Sequence, residues 1–326
     1  MSDRNLNISA ISDTESAPYD ALARERGTVF HGEDWTATFG DRLTRYGVFR
    51  RDGELVAGFH LYRTSLVRLT VLRDPPFTPP CGPFISIKAK NPVAVLEERR
   101  DVLNAIAGFL DNRSHAVVSV SFDSGIQDLL PFVWRKFKVV PAYTYILDLS
   151  PSFDELKGRM SPVRRNDISK AVRDGLIVRQ TSDLEMIRHL VQETFARRRV
   201  QASARYLDGI LFRFSNGDNS YAFASYRGDT PIACCFVVHG RSRAYYLLGG
   251  HRGDGKHHGA GALALFTAIR HAKEIGLEAF DFEGSMIPAI EKYFRGFGGQ
   301  LTPYYRANKA WLPIEMVLKF VRREIF

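Results

Sequence analysis

The segment that decides the fold is Ala244–Gly284, with the sequence AYYLLGGHRGDGKHHGAGALALFTAIRHAKEIGLEAFDFEG. Its pattern predicts a strand at Ala244–Leu248, then a glycine-rich basic loop, a helix at Leu263–Ile275 and a second strand at Leu277–Phe282. Apolar residues recur at helical spacing along the predicted helix, and Gly276 is a typical helix stop. Strands that alternate with helices in this way indicate a mixed α/β fold.

Two hairpins of similar design indicate an internal repeat. In the first, Asp52-Gly53 separates the strand Tyr46–Phe49 from the strand Leu55–Tyr62, and Asp-Gly between β-rich runs is a strong hairpin signal. The same order of strand, turn and strand returns at Tyr221–Tyr226 and Pro231–His239. The chain therefore contains two copies of one architecture.

Length and composition limit the class of protein. A chain of 326 residues has room for about two domains, and a net charge of +9 favours a polyanionic partner such as a phosphate-bearing substrate, RNA or an anionic membrane surface. The three cysteines cannot form a disulfide framework, and no cysteine or histidine pair has zinc spacing, so we expect no metal site and a reducing compartment. The sequence has no apolar run of about 18 residues and no apolar secretory segment, which predicts a cytoplasmic protein.

We expect a polar tail over residues 1–24, an N-terminal domain over 25–148 and a C-terminal domain over 149–326. The final run, Leu312–Phe326, is apolar with interspersed basic residues. This pattern is typical of an amphipathic helix that packs on its own domain, and also of one that lies on a membrane surface, here the inner membrane.

The glycine-rich loop has the composition of an anion-binding loop. Its spacing from Gly250 to Lys256 matches G-x-x-x-x-G-K, but His257 stands where a nucleotide-triphosphate loop needs Ser or Thr. A basic residue followed by Gly259 and Gly261 at a helix start fits instead the loop with which N-acetyltransferases hold the pyrophosphate of coenzyme A. The alternative is a plain connecting loop.

Two further groups of charged residues are candidates for chemistry. Arg164 and Arg165 lie with Lys170 and Arg173 on the helix opened by Ser161-Pro162, and this basic face either holds a diphosphate or is simply solvated. Asp281 and Glu283, two apart on a strand, lie on one side of it. A carboxylate pair in a cleft acts as a general base toward an amine, and the alternative is a pair of salt-bridged surface acids.

Several short motifs, in a fixed order, resemble one family. The Fem-type peptidoglycan aminoacyltransferases and their relatives in the GNAT-like acyltransferase clan have similar segments in the same order, here Arg164–Ala171, Tyr245–Gly250, Gly259–Leu263, Asp281–Ser285 and Phe294–Gly298. The resemblance is best from about Tyr143 to Tyr305. It implies two tandem GNAT-like (acyl-CoA N-acyltransferase) domains, each a mixed sheet flanked by helices.

The resemblance also implies an activity, the transfer of an acyl or aminoacyl group to an amine of a cell-envelope or polysaccharide precursor. It implies no tightly bound cofactor, with acyl-CoA or aminoacyl-tRNA as co-substrate and a phosphate-bearing or lipid-linked acceptor. The chain shows no long heptad segment for a tRNA-binding helical arm, so an acyl-CoA-like donor is the alternative to aminoacyl-tRNA. A non-catalytic GNAT-fold module that binds a phosphorylated lipid precursor or RNA is the alternative.

The resemblance assigns roles to individual residues. Arg295 stands where the family has a catalytic lysine, so a planar guanidinium replaces a point charge near the carbonyl oxygen. The expected positions are as follows: Asp281 or Glu283 as the base, Tyr246 and Phe294 at the substrate, Arg164 and Arg165 at the acceptor phosphates, and Lys256, Gly259 and Gly261 at the donor phosphates.

Overall fold

A computed structural model describes residues 6–66, 69–111, 115–199, 201–254, 257–284 and 286–321. The chain divides into two compact units, one formed by Met1–Ala142 with Pro303–Phe326 and the other by Tyr143–Thr302. The strands are β1 (Asn7–Ala10), β2 (Leu43–Phe49), β3 (Leu55–Leu66), β4 (Leu69–Arg73), β5 (Phe84–Ile85), β6 (Val117–Phe122), β7 (Lys138–Asp148), β8 (Ile177–Gln180), β9 (Ser220–Arg227), β10 (Thr230–His239), β11 (Arg243–His251), β12 (Ala279–Asp281) and β13 (Gln300–Ala310).

Helices flank these strands in both units. They are α1 (Asp13–Arg26), α2 (Glu33–Ala37), α3 (Pro92–Leu110), α4 (Leu130–Trp134), α5 (Phe153–Arg159), α6 (Pro162–Arg173), α7 (Leu184–Arg197), α8 (Ala204–Gly209), α9 (Ala260–Glu274), α10 (Pro288–Arg295) and α11 (Leu312–Val321). The mixed α/β prediction is confirmed.

The two units repeat one topology. In the first, the antiparallel strands β2, β3 and β4 are followed by α3 and then by β6, which pairs parallel with β4. In the second, β9, β10 and β11 are followed by α9 and then by β12, which pairs parallel with β11. The prediction of two copies, made from the hairpins, therefore agrees with the order and direction of the strands.

The final strand of each unit departs from a simple tandem order. The Ile146–Asp148 part of β7 pairs with β12 in the second unit, although β7 follows the elements of the first unit in the chain. The Tyr305–Ala310 part of β13 pairs with β6 in the first unit, although β13 follows the second. The compact units thus differ from the expected ranges 25–148 and 149–326, because strand pairing joins segments that are distant in sequence.

The expected polar tail over residues 1–24 is wrong for residues 6–24. β1 pairs with β2, and α1 begins with a capping box in which Glu15 binds the backbone N–H of Ser12. The Tyr19 side chain is fully buried, and its hydroxyl donates a hydrogen bond to the Phe59 carbonyl. One buried aromatic side chain and a capped helix anchor a segment whose composition is otherwise polar.

A buried cluster in the first unit brings together His31, His60 and Cys81, whose ligand atoms lie within 4.8 Å of one another. They are distant in sequence, so no spacing motif indicated them. Both ring nitrogens of His31 already form hydrogen bonds, to Gly82 and Thr28, so a metal ion would displace one of these bonds. We interpret the cluster as core packing. Burial lowers the pKa of His60 to about 3 and also lowers the pKa of His31.

This low pKa predicts acid destabilisation. A histidine in the unfolded chain has a pKa near 6.5, whereas His60 in the folded chain has a pKa of about 3. Below pH 6.5 the unfolded chain therefore binds a proton that the folded chain does not. The free energy of unfolding is unaffected by His60 above pH 6.5 and decreases as the pH falls toward 3. Between pH 7 and pH 5 we expect His60 alone to remove about 2 kcal/mol from the free energy of unfolding. Urea denaturation of the wild type and His60→Leu at both pH values measures this difference, and equal pH slopes would contradict it.

Candidate functional site

In the second unit, β11 and β12 diverge after a short parallel ladder. The ladder pairs three registers and stops at Tyr245 and Asp281, whereas β11 continues to His251. Next to this point the register between β10 and β11 shifts, so that Leu247 has no partner between Tyr246 and Leu248. Such a bulge re-aims the neighbouring side chains, and bulges are common beside active sites.

Two tyrosines lie beside the divergence. The Tyr246 hydroxyl covers Gly249, where an added Cβ atom would lie 1.9 Å from the phenol oxygen. Glycine at this position therefore makes room for the ring. Tyr293, near the end of α10, lies close by, since the rings of Tyr246 and Tyr293 both contact Phe294, at centroid distances of 5.7 and 5.6 Å.

Both phenols remain protonated at neutral pH. Burial raises the pKa of Tyr246 well above its ordinary value, and the neighbouring Tyr293 adds to the effect. Burial likewise raises the pKa of Tyr293, against the opposing influence of Arg164. Neither hydroxyl forms a hydrogen bond with another residue that the structure describes. Both phenols are therefore available as hydrogen-bond donors or acids toward a substrate.

The nearest thiol is a poor nucleophile. Cys235 lies opposite Gly249 on β10, and burial raises the pKa of its thiol far above the ordinary value. The adjacent Cys234, opposite Gly250, has a pKa raised to about 12 for the same reason. Because the thiolate is the reactive form of cysteine, these residues do not favour a covalent acyl-enzyme. The site is suited to direct transfer.

The two candidate acids differ in their surroundings. Asp281 is buried, and its Oδ1 accepts hydrogen bonds from the Thr144 hydroxyl at 2.6 Å and from the Glu283 backbone N–H at 3.0 Å. Glu283 is half-buried, and its φ of 61° is unusual for a residue other than glycine. Asp281 thus fixes the backbone of Glu283 and, through it, the position of the Glu283 carboxylate. Asp281 is therefore a positioning residue.

The glycines at the start of α9 are required by packing. A Cβ atom on Gly259 would lie 2.0 Å from the Asp167 carbonyl oxygen of α6, and a Cβ atom on Gly261 would lie 2.4 Å from the His251 ring. Their presence therefore has a cause other than the approach of a phosphate. The backbone N–H groups of Gly261 and Ala262 donate to no other described residue, so they remain able to bind an anion.

His257 fixes the loop before α9. Its Nδ1 accepts a hydrogen bond from the Gly259 N–H at 3.1 Å, and its Nε2 donates to the Asp174 carboxylate at 2.9 Å. This hydrogen bond, with a further contribution from Lys170, lowers the pKa of Asp174. Lys256, predicted to bind donor phosphates, lies outside the described residues.

Arg164 and Arg165 do not form one basic face. The Arg164 guanidinium is buried 4.1 Å from the Tyr293 ring centroid and forms a salt bridge with Asp167 at 2.8 Å. Arg165 points elsewhere, since its Nη1 donates to the carbonyls of Gly158 and Met160 near the end of α5. Neighbouring positions on a helix face different directions, and here they bind different partners. Their binding of acceptor phosphates stays a prediction.

We expect Arg164→Ala to destabilise the second unit by about 2 to 3 kcal/mol, because it removes a desolvated cation–π contact and leaves a buried void beside Tyr293. The adjacent variant Arg165→Ala is the matched control, with an expected loss below about 1 kcal/mol. Chemical denaturation measures both. Equal losses would show that Arg164 is not an anchor of this packing.

Arg295 lies at the surface end of α10. Its side chain is 61% exposed, and its Nε lies 3.2 Å from Oε1 of Glu291, which also accepts a hydrogen bond from the Tyr145 hydroxyl. Together with burial, which is the larger cause, this bond raises the pKa of Tyr145. The structure therefore gives Arg295 an ion pair within its own helix, and its role at the carbonyl oxygen stays a prediction.

The acetyltransferase (GNAT) domain model matches residues 163–295, which include the β11–β12 divergence, α9 and both tyrosines. Residues 163–295 are a GNAT domain. The match covers less than half of the chain, and it supports an acyltransferase activity for this domain. No curated protein matches the chain.

Solved structures extend the likeness to nearly the whole chain. FemX is 13% identical with a TM-score of 0.67, and the match covers 96% of this chain and 100% of FemX. The C-terminal domain of a putative lysylphosphatidylglycerol synthetase from Agrobacterium fabrum is 14% identical with a TM-score of 0.58, covering 94% and 96%. A tandem GNAT protein from the clavulanic acid biosynthesis pathway is 12% identical with a TM-score of 0.53, covering 94% and 98%. The resemblance to Fem-type and tandem GNAT proteins is confirmed as a likeness of fold.

The structure brings together two of the residues predicted from sequence, Tyr246 and Phe294, where β11 and β12 diverge. Asp281 lies in the last residue pair of the β11–β12 ladder. The structure adds Tyr293 and Gly249, which sequence reasoning missed. Tyr293 directly precedes the motif that begins at Phe294, and this position was the only available signal for it.

Proposed function

We propose that the GNAT domain transfers an acyl or aminoacyl group directly from a thioester or ester donor to an amine of a phosphate-bearing, lipid-linked envelope precursor. The observation that supports this most is the pair of half-buried, protonated phenols, Tyr246 and Tyr293, where β11 leaves β12. The name of the Agrobacterium fabrum relative, a putative lysylphosphatidylglycerol synthetase, supports a lipid acceptor. We place the reaction in the cytoplasm, at or near the inner membrane.

In the proposed reaction, the amine nitrogen attacks the carbonyl carbon and the bond from that carbon to the donor sulfur or oxygen breaks. Tyr246 donates a hydrogen bond to the carbonyl oxygen as negative charge develops there. Tyr293 gives its proton to the departing thiolate or alkoxide, and Glu283 accepts the proton that the amine loses. The phenol of Tyr293 then regains a proton from solvent, and the Glu283 carboxyl releases its proton to solvent.

The donor is either acyl-CoA or aminoacyl-tRNA. The match to the GNAT domain model favours acyl-CoA as the co-substrate, and the free N–H groups at the start of α9 would hold its phosphates. An acid such as Tyr293 matters more for an ester, since an alkoxide is a far stronger base than a thiolate and needs a proton in order to leave. Transfer from aminoacyl-tRNA, which is an ester, should therefore depend more strongly on Tyr293 than transfer from acyl-CoA, which is a thioester.

The test compares donors on the intact chain. Acetyl-CoA and lysyl-tRNA are each incubated with the protein and with vesicles that contain an amine-bearing lipid, and acylated lipid is measured by mass spectrometry. We expect product from one donor only, and a stabilisation of the protein by about 2.7 kcal/mol when that donor is present at 100 times its dissociation constant. Stabilisation without product from any amine would favour the non-catalytic binding module. No response to either donor would overturn the proposal.

A further inference from the structure

The last described helix, α11, presents an apolar face that no described residue covers. None of its side chains is buried, and Leu312, Val317 and Phe320 are 71%, 60% and 90% exposed. Residues four apart on a helix lie in one row, so Leu312 and Phe320 form a row with Met316, and Val317 lies in the next row with Val321. The exposed apolar side chains are therefore contiguous.

Beside the exposed face lie the half-buried Ile314 and Leu318 and a narrow charged strip. Glu315 and Lys319 lie one turn apart and form a salt bridge at 2.8 Å. Trp311, 41% exposed, directly precedes the helix. In the sequence, Arg322 and Arg323 follow it. Helices that lie within a lipid interface have this composition, with an apolar face, an aromatic side chain at one end and basic residues at the other.

We propose that α11 lies in the plane of an anionic lipid bilayer, with Val317 and Phe320 inserted among the acyl chains. The net charge of +9 and the basic residues beside the apolar face complement anionic headgroups. In the described part of the chain, no helix has the length and apolarity to cross a membrane.

A second copy of the chain is the competing occupant, and the charges disfavour it. A parallel pair of α11 helices would bring Lys319, Arg322 and Arg323 of both copies together. An antiparallel pair would place these cations beside the positive helix N-terminus of the other copy. Anionic lipid carries no such penalty. The inference goes beyond the proposed function and does not depend on it, although it would bring the enzyme to the surface that holds a lipid-linked acceptor.

Cosedimentation of the full chain with vesicles tests the inference. We expect binding to phosphatidylcholine vesicles that contain phosphatidylglycerol, and roughly tenfold weaker binding to phosphatidylcholine alone. Val317→Glu with Phe320→Glu should weaken binding to the mixed vesicles by at least about tenfold. Because no side chain of α11 is buried, this variant should keep the melting temperature of the wild type.

The matched control places the same substitution at two other exposed valines, as Val93→Glu with Val163→Glu, which are 64% and 65% exposed. It should bind the vesicles like the wild type. Equal binding by the α11 variant and this control would overturn the inference, as would a wild type that binds neither kind of vesicle. If the wild type and the control form a dimer without lipid and the α11 variant does not, the apolar face binds a second copy of the chain. Transfer to a soluble amine should be unchanged in both variants, which separates this test from that of the proposed function.

Discussion

Replacing Tyr293 by phenylalanine should lower kcat by about 100-fold with an ester donor while changing KM little. The substitution removes only the phenol oxygen, which has no hydrogen bond to another described residue, so the packing against Phe294 and Arg164 remains. The proton for the leaving group is needed only as the bond breaks, and a lost general acid commonly costs about 10² to 10⁴ in rate. With a thioester donor the loss should be smaller, because a thiolate departs without a proton more readily than an alkoxide does.

Arg295→Ala is the control on the same helix. Arg295 forms an exposed ion pair with Glu291, so if that is its only role its removal should cost a few tenths of a kcal/mol of stability and change kcat by less than about threefold. If Arg295 instead stabilises the carbonyl oxygen, its removal should lower kcat by about 100-fold. Steady-state kinetics and melting temperatures of both variants decide the roles. A kcat loss that follows Arg295 instead of Tyr293 would return the chemistry to the position indicated by the Fem-type resemblance.

Gly259→Ala should destabilise the GNAT domain strongly, with an expected loss of about 3 kcal/mol. The new Cβ atom would lie 2.0 Å from the Asp167 carbonyl oxygen and 2.9 Å from the Ala171 Cβ, so α6 and α9 would have to separate. The backbone of Gly259 is in an ordinary helical conformation, so the loss measures the clash and not a strained φ.

Gly158→Ala is the matched change within α5, where an added Cβ atom meets nothing within 4 Å. Alanine there should stabilise the protein by up to about 1 kcal/mol, through its higher helix propensity. Denaturant midpoints of the two variants test the pair. If Gly259→Ala keeps its stability but loses donor binding, the glycine serves the phosphate and not the packing.

Local patterns were enough to predict the elements around the site. The Asp52-Gly53 turn predicted the hairpin of β2 and β3, and the apolar spacing with Gly276 predicted α9 to within three residues at its start. Both signals lie within a short stretch of chain, where turn geometry and helical periodicity act directly. The order of the elements then indicated the GNAT-like fold.

The parts that could not be predicted depend on contacts between distant segments. Nothing in the sequence near Arg164 shows that its guanidinium is covered by Tyr293, 129 positions further on. The basic pattern of α6 is the same whether an arginine faces solvent or a ring, so the sequence could not predict which of its arginines is buried. In the same way, a phenol gains a high pKa only when the folded chain removes it from water.

The exchange of the last strands has a consequence for synthesis on the ribosome. The first unit needs residues 305–310 to pair with β6, and these are translated after the entire second unit. Until then the emerging chain carries β6 as an open, largely apolar sheet edge, which is a template for pairing with other chains. Translation of the segment from Tyr143 to Thr302 therefore sets how long a nascent chain needs protection by a chaperone. A premature stop anywhere before residue 305 leaves the β6 edge of the first unit unpaired.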